Sequence, residues 1–321
     1  MTRVLCIGEC MIELTHLDAR TLRLGFAGDT YNTAVYLRRV AAQLGHETEV
    51  GYLTGLGDDE YSDAMRAEWR DEGIVDRSLL AEGRLPGLYA IRTAEDGERR
   101  FAYWREQSAA RDVFSRGDLC THIEGDLVHL SGITLQLLSS PARKALLACL
   151  RERRSEGARV SFDTNYRPRG WRSSREAADA ITRACAVADI VLASRQDEDL
   201  LHGARSATAG VRRLLDLGAR EVILRDGSAG AYVGTTDDVV RVPAMPVNRV
   251  VDTTAAGDAF AGGYLAGRLA GDKPQAAAAL GNAVAGTVIQ HPGAITPRSI
   301  RLVEPTPSQS LREPTTAPTS H

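Results

Sequence analysis

Short apolar runs rich in β-branched residues recur along the chain: Val4–Ile7, Leu127–Leu130, Val160–Phe162, Ile190–Leu192 and Val222–Leu224. From the second run onward, stretches of helical periodicity separate them, at Ser139–Gly157, Ser173–Ala188 and Ala207–Leu217. Runs this short and this continuously apolar suit strands buried on both faces of a parallel sheet. The strand–helix–strand order predicts an α/β fold with a doubly wound, mostly parallel sheet flanked by helices and joined by right-handed crossovers. Ligands of such sheets bind beyond the carboxyl ends of the strands. Ser131-Gly132, Asp163-Thr164-Asn165, Ser194 and Arg225-Asp226-Gly227 all fall there. Two early regions break the alternation. Met11–Phe26 and Leu88–Arg105 read as strands with polar and aromatic interruptions, the second as a hairpin turning at Asp96-Gly97.

Composition narrows the class. At 321 residues the chain is long enough to bury a sizeable core. Its net charge is −3, with the charges mixed along the chain, so nothing suggests a nucleic-acid or membrane-surface partner. An anionic ligand would depend on local arginines. The cysteines (Cys6, Cys10, Cys120, Cys149, Cys185) show no Cys-x-x-Cys spacing and are expected to be buried free thiols in a reducing cytoplasm. The N-terminus enters an apolar strand without a signal-peptide pattern, and Ala276–Ile289 is too short and weakly apolar to span a bilayer. From Pro305 the chain turns to Pro, Ser and Thr, and 305–321 is expected to be a disordered tail.

The stretch richest in chemistry is Asp252-Thr-Thr-Ala-Ala-Gly-Asp-Ala-Phe-Ala-Gly-Gly263. Small residues lead into a helix whose apolar stripe begins at Phe260, Tyr264 and Leu265. Backbone N–H groups of Ala255, Ala256 and Gly257 can point at an anion, where the helix dipole favours negative charge. Asp258 stands at the edge of that hole, able to take a proton from a hydroxyl. An anion hole beside a base is what phosphoryl transfer to an alcohol requires. An isolated Gly-Asp would read as an acidic helix cap; twelve residues of this bias carry more.

This run resembles the C-terminal signature of the ribokinase-like (PfkB) sugar kinases. Gly25-Phe-Ala-Gly-Asp-Thr-Tyr-Asn-Thr-Ala34 is similar to their N-terminal signature, with Ala27 where relatives usually carry the first glycine of a pair. Ile7–Leu14, Leu85–Tyr89, Tyr103-Trp104-Arg105 and Asp163–Pro168 resemble the 2-keto-3-deoxygluconate kinase branch, and the likeness spans roughly residues 3–301. It implies one kinase domain over 1–304. Strands at about 11–26 and 86–106 would form a small β-sheet lid over the sugar, through which relatives often form homo-oligomers. The implied reaction is ATP-dependent phosphorylation of the terminal hydroxyl of 2-keto-3-deoxygluconate. A fructokinase- or ribokinase-type sugar kinase and a non-catalytic sugar binder on the same fold are the alternatives.

Residues follow from the match. Asp258 is the base. Gly28, Asp29 and Asn32 would serve sugar hydroxyls, and Tyr89 and Tyr103 would offer rings and hydroxyls. Arg105 and Arg167 would fork a carboxylate, since a planar guanidinium meets one bidentately; Arg169 and Arg172 read as surface residues. On the ATP side stand Ser194, Arg225, Gly227, Gly230 and Asn282, with Ala256 and Gly257 at the phosphates. Asp197 or Glu198 would help arrange Mg2+, Asp197 being preferred, with the ion held mainly by ATP and water. Asp252 and Thr254 match positions near a monovalent-cation (K+) site in relatives, a structural role being the alternative. No Walker loop, dinucleotide fingerprint or nucleophile elbow is present.

Overall fold

The computed structural model describes residues 1–93, 99–116 and 119–304. The expected tail at 305–321 and the Asp96-Gly97 turn lie outside the described residues.

The chain opens with β1 (Thr2–Ile7), β2 (Met11–His16) and β3 (Leu22–Ala27), then α1 (Asp29–Gln43). Next come β4 (Thr48–Leu53), β5 (Gly55–Leu56), α2 (Glu60–Asp71), β6 (Ile74–Asp76), β7 (Leu79–Leu80), β8 (Leu88–Thr93), β9 (Arg99–Trp104) and α3 (Ala109–Ser115). The strand–helix alternation then settles into β10 (Leu127–Ser131), α4 (Gly132–Leu137), α5 (Ser140–Ser155), β11 (Arg159–Asp163), α6 (Ser174–Cys185) and β12 (Ile190–Ser194). It closes with α7 (Arg195–His202), α8 (Ala207–Asp216), β13 (Glu221–Arg225), β14 (Ala231–Gly234), β15 (Val239–Val242), α9 (Ala256–Leu269) and α10 (Pro274–Val288).

Nine strands form the main sheet in the order β15-β14-β13-β12-β11-β10-β1-β4-β6, parallel except for β14 and β15. Each apolar run singled out in the sequence is one of its parallel strands. Side chains alternate between two cores. Leu5 and Ile7 pack with α3, α5, α6 and α8 on one face; Val4 and Cys6 pack with α1, α2, α9 and α10 on the other. Connections run outward from β1 in both directions, so the switch point lies between β1 and β10, and the strand ends there open a crevice.

Strands β3-β2-β8-β9 make the separate small sheet expected of a lid. Its inner face, through Met11, Ala27, Tyr89 and Ile91, packs on Ala294 with Ala255 and Ile295 beside it. The Ala27 substitution carries no strain. Ala27 ends β3 as a buried, paired strand residue with no positive φ, so a methyl group fits. One expectation needs correction. Cys6, Cys10 and Cys185 are free and buried, but Cys120 and Cys149 are disulfide-paired, their Cα atoms 5.8 Å apart. The turn at Leu119–His122 packs against α5, a proximity that a separation of 29 residues does not announce. Among the described residues, no helix is long and apolar enough to cross a membrane.

Candidate active site

The carboxyl ends of β10 to β13 and the N-termini of α1 and α9 meet at one crevice. Gly28 lies in extended backbone immediately before α1. Glycine is needed there for space, because a Cβ would collide with the Glu9 carbonyl. Its N–H donates to Asn32 Oδ1 at 3.4 Å, and Asn32 Nδ2 donates to Asp258 Oδ2 at 2.8 Å. Thr33 Oγ1 donates to the Asp258 carbonyl at 3.3 Å. The two signature stretches, more than two hundred residues apart, thus meet through hydrogen bonds.

Helix α9 has no side-chain cap, and Ala255 before it sits in the left-handed region at φ 58°. A non-glycine residue there is strained, and Ala256 N–H folds back onto Thr253 O at 3.2 Å. Among the described residues, the first-turn donors without such a partner are therefore those of Gly257 and Asp258. Asp258 lies half-buried on the crevice floor. Burial first, then the negative charges of Asp29 and Asp163, push its carboxyl up to about 7, against the Asn32 hydrogen bond and the Arg225 charge. Asp29 is likewise raised, by burial, while accepting hydrogen bonds from Ser131 and Asn165. The Asn165 Nδ2–Asp29 Oδ2 distance is 2.7 Å, and Asn165 holds φ 28°, a conformation Asn tolerates better than most residues.

The arginines expected on the sugar side have distinct settings. Arg105 leaves the end of β9 and forms an ion pair with the buried Glu9. Arg167 is exposed, its Nη1 donating to the Tyr166 carbonyl at 3.1 Å. Its own carbonyl accepts from Gln136 Nε2 at 2.9 Å. Arg105, Arg167 and Arg169 all hold positive charge toward the Tyr103 hydroxyl, opposing the rise that burial imposes on it. Arg169 is exposed, as the sequence reading expects of a surface residue. Tyr103 is 51% exposed and its ring lies 5.8 Å from that of Tyr89. Tyr89 is buried, and its hydroxyl donates to Glu13.

On the expected nucleotide side, Ser194 Oγ caps α7 by accepting from Asp197 N–H at 3.0 Å. Asp197 Oδ2 accepts from Thr164 Oγ1 at 2.7 Å and from Tyr166 N–H at 3.2 Å. Glu198 turns away into a two-pronged pair with Arg213, at 2.7 and 2.9 Å. Of the two candidates it is Asp197 that stays at the end of β11, bonded to Thr164 and Tyr166. Gly227 (φ 52°) and Gly230 (φ 95°) make the tight turn between β13 and β14, and a Cβ at Gly230 would strike the Val242 carbonyl. Asn282 Nδ2 donates to the Val242 and Pro243 carbonyls at 3.3 and 3.0 Å, anchoring the chain after β15. Asp252 accepts from Thr254 N–H at 2.6 Å and from Gly293 N–H at 2.9 Å.

Arg225 points into the crevice floor. Its Nη2 meets Asp163 Oδ1 at 2.7 Å, Nη1 donates to Gly257 O at 2.8 Å, and Nε donates to Ala193 O at 3.3 Å. Asp163 and Asn165, placed by the sequence pattern at a strand's carboxyl end, had no role assigned to them there. Glu9, Glu13 and Gln136 show only through their partners.

A model of "pfkB family carbohydrate kinase" matches residues 1–301. The chain belongs to the pfkB family of carbohydrate kinases. It is 42% identical over 299 residues to the 2-dehydro-3-deoxygluconokinase of Dickeya dadantii (strain 3937), covering 91% of this chain and 96% of that one. The same identity holds over 305 residues with the enzyme of that name from Escherichia coli (strain K12), at 92% and 97% coverage. Among solved structures, aminoimidazole riboside kinase from Salmonella enterica, complexed with aminoimidazole riboside and an ATP analog, superposes with a TM-score of 0.77. Its identity is 26%, with 91% of this chain and 94% of that one covered. As a pfkB carbohydrate kinase the protein has the ribokinase-like architecture anticipated from its sequence.

Proposed function

We propose that this pfkB kinase transfers the γ-phosphoryl group of ATP to the terminal (6-) hydroxyl of 2-keto-3-deoxygluconate (2-dehydro-3-deoxygluconate), giving 2-keto-3-deoxy-6-phosphogluconate. The observation that carries the reading is the meeting of the two signature stretches, where Asn32 Nδ2 donates to Asp258 Oδ2 at 2.8 Å. Curated relatives that are 42% identical carry the name 2-dehydro-3-deoxygluconokinase, and Arg105 and Arg167 are the residues proposed to meet the sugar-acid carboxylate.

In this reading Asp258 accepts the hydroxyl proton as the alcohol oxygen attacks phosphorus and ADP leaves. Burial that raises its carboxyl makes it a stronger base than an ordinary Asp, tuned near neutral pH. An uncapped helix start suits the charge developing on the transferring phosphoryl group. ATP supplies that group. The turn at Gly227 and Gly230, Ser194 and Asn282 would shape its pocket, with Mg2+ held by phosphate oxygens and water near Asp197. Asp252 and Thr254 would border a monovalent cation. Residues 1–304 would work as one kinase unit in the cytoplasm. The outer lid face, with Leu22, Leu24 and Trp104 exposed, would meet a second copy.

A neutral-sugar kinase is the second reading, favoured by the Glu9 pairing that neutralises Arg105. A coupled assay with Mg-ATP across sugars and sugar acids separates the two. We expect kcat/KM for 2-keto-3-deoxygluconate to lie well above those for fructose and ribose. Preference for an uncharged sugar would overturn the substrate and leave the kinase standing.

A further inference from the structure

We infer that Arg225 is a positioning residue for phosphoryl transfer: it grips the first turn of α9 from below and makes no contact with the nucleotide. From the end of β13 its guanidinium reaches three separate elements: the Asp163 carboxylate on β11, the Ala193 carbonyl on β12 and the Gly257 carbonyl on α9. The side chain is largely buried, 15% exposed. Arginine's planar fork holds several acceptors in fixed relative positions, which a flexible ammonium cannot do.

The consequence lies in the peptide plane it holds. The Gly257 carbonyl shares that plane with the Asp258 N–H, so the hydrogen bond from Nη1 fixes how this donor faces the crevice. Asp258 is held from its other side by Asn32 and Thr33. Glycine at 257 fits the same arrangement, because a Cβ there would come within 3.0 Å of Nη1 and press the guanidinium away. The strained Ala255, two residues earlier, needs such bracing to persist. The charged groups facing Asp258 are Asp29 from α1, Asp163 from β11 and Arg225 from β13. Arg225 thus also supplies positive charge that keeps the base ionised beside two carboxylates.

The inference rests on Asp258 being the base, which Asp258→Asn tests separately. It is measured with the best acceptor of the substrate panel, so that a wrong sugar assignment does not affect it. Arg225→Met should lower kcat about a hundredfold, the loss seen when a transition-state donor is misplaced. KM for ATP and for the acceptor should stay within about threefold. The acid limb of kcat against pH should move upward by roughly one unit, since a nearby opposite charge shifts a carboxyl that far. A merely structural role would not move that limb. Arg225→Lys should recover at least tenfold of the lost kcat and return the limb toward wild type. Should Arg225→Met melt below assay temperature, the Arg225→Met/Asp163→Asn double variant removes both buried charges, and kcat is read there against Asp163→Asn alone. A kcat within threefold of its reference, or a tenfold rise in KM for ATP at unchanged kcat, would overturn the proposal.

Discussion

Asp258→Asn should slow the enzyme and stabilise it, and the two effects have one cause. In the folded protein the Asp258 carboxyl sits at about 7, held there by burial and by Asp29 and Asp163, against an ordinary value of 3.8. That difference corresponds to a ceiling of ~4 kcal/mol, at 1.36 kcal/mol per pH unit. Water in the crevice and the Asn32 hydrogen bond screen it, which leaves about 1–2 kcal/mol. For the sign, a carboxyl raised in the folded state binds its proton more tightly there than in the unfolded chain. Its stabilising contribution is complete below about pH 4 and fades as pH rises through about 7. Asn does not titrate, and it also relieves Asp29, whose own carboxyl is raised by burial. Without nucleotide, the melting temperature of the variant minus that of wild type should therefore be small at pH 5 and grow to a few degrees by pH 8.5. Turnover should fall on the order of 10²–10⁴-fold, the usual loss for a general base. Wild-type kcat/KM should fall as pH drops through about 7. A melting difference that is flat with pH would refute the electrostatics. Retention of more than about a tenth of wild-type kcat would refute the base.

The arginines give the remaining predictions. Arg167→Ala should raise KM for the sugar acid about ten- to a hundredfold, the value of one charge-assisted contact of roughly 1.5–3 kcal/mol. KM for ATP should hold, Arg167→Lys should fall between, and steady-state kinetics with both substrates decides. Arg105→Ala strands the Glu9 carboxylate in a buried setting, so urea unfolding should show a loss of about 3–5 kcal/mol. Arg105→Ala/Glu9→Gln should regain most of it, and if the single variant is as stable as wild type the ion pair has no structural role.

Much of this architecture could be read before any coordinates. The parallel strands betrayed themselves by continuous apolar runs, because burial on both faces leaves no room for alternation. The strands of the small sheet showed as aromatic and polar interruptions, since one face of that sheet packs on Ala294 while residues such as Leu22 and Trp104 stay exposed. Asp258 stood out because it follows a run of small residues, a local pattern. What stayed hidden was partnership. Arg225 reads from sequence as the first residue of a glycine-rich turn, and only the neighbouring strand ends reveal Asp163 and Ala193 within reach. Glu9 and Arg105 lie 96 positions apart, and Cys120 and Cys149 meet only because a turn packs on a helix. Contacts set by three-dimensional register leave no periodic mark.

The signature run also does more than its chemistry suggests. Its later glycines lie beyond the helix start, buried against neighbouring helices. A Cβ on Gly262 would come within 2.7 Å of the Leu37 N and the Tyr36 Cβ on α1, and one on Gly263 within 2.9 Å of Val284 on α10. Real side chains do not tolerate such approaches, so these positions let α9 press against both neighbours. That closeness matters at the crevice. Asn32 is short, and it reaches Asp258 at 2.8 Å only because α1 and α9 lie near each other where both begin. Widening the helix packing a turn away would draw Asp258 from Asn32, its hydrogen-bond partner. The small residues of one motif therefore serve two ends, an uncapped helix start at the proposed phosphoryl site and a tight helix seam behind it. The second explains why the bias toward Ala and Gly continues past Asp258, where phosphoryl transfer alone would not require it.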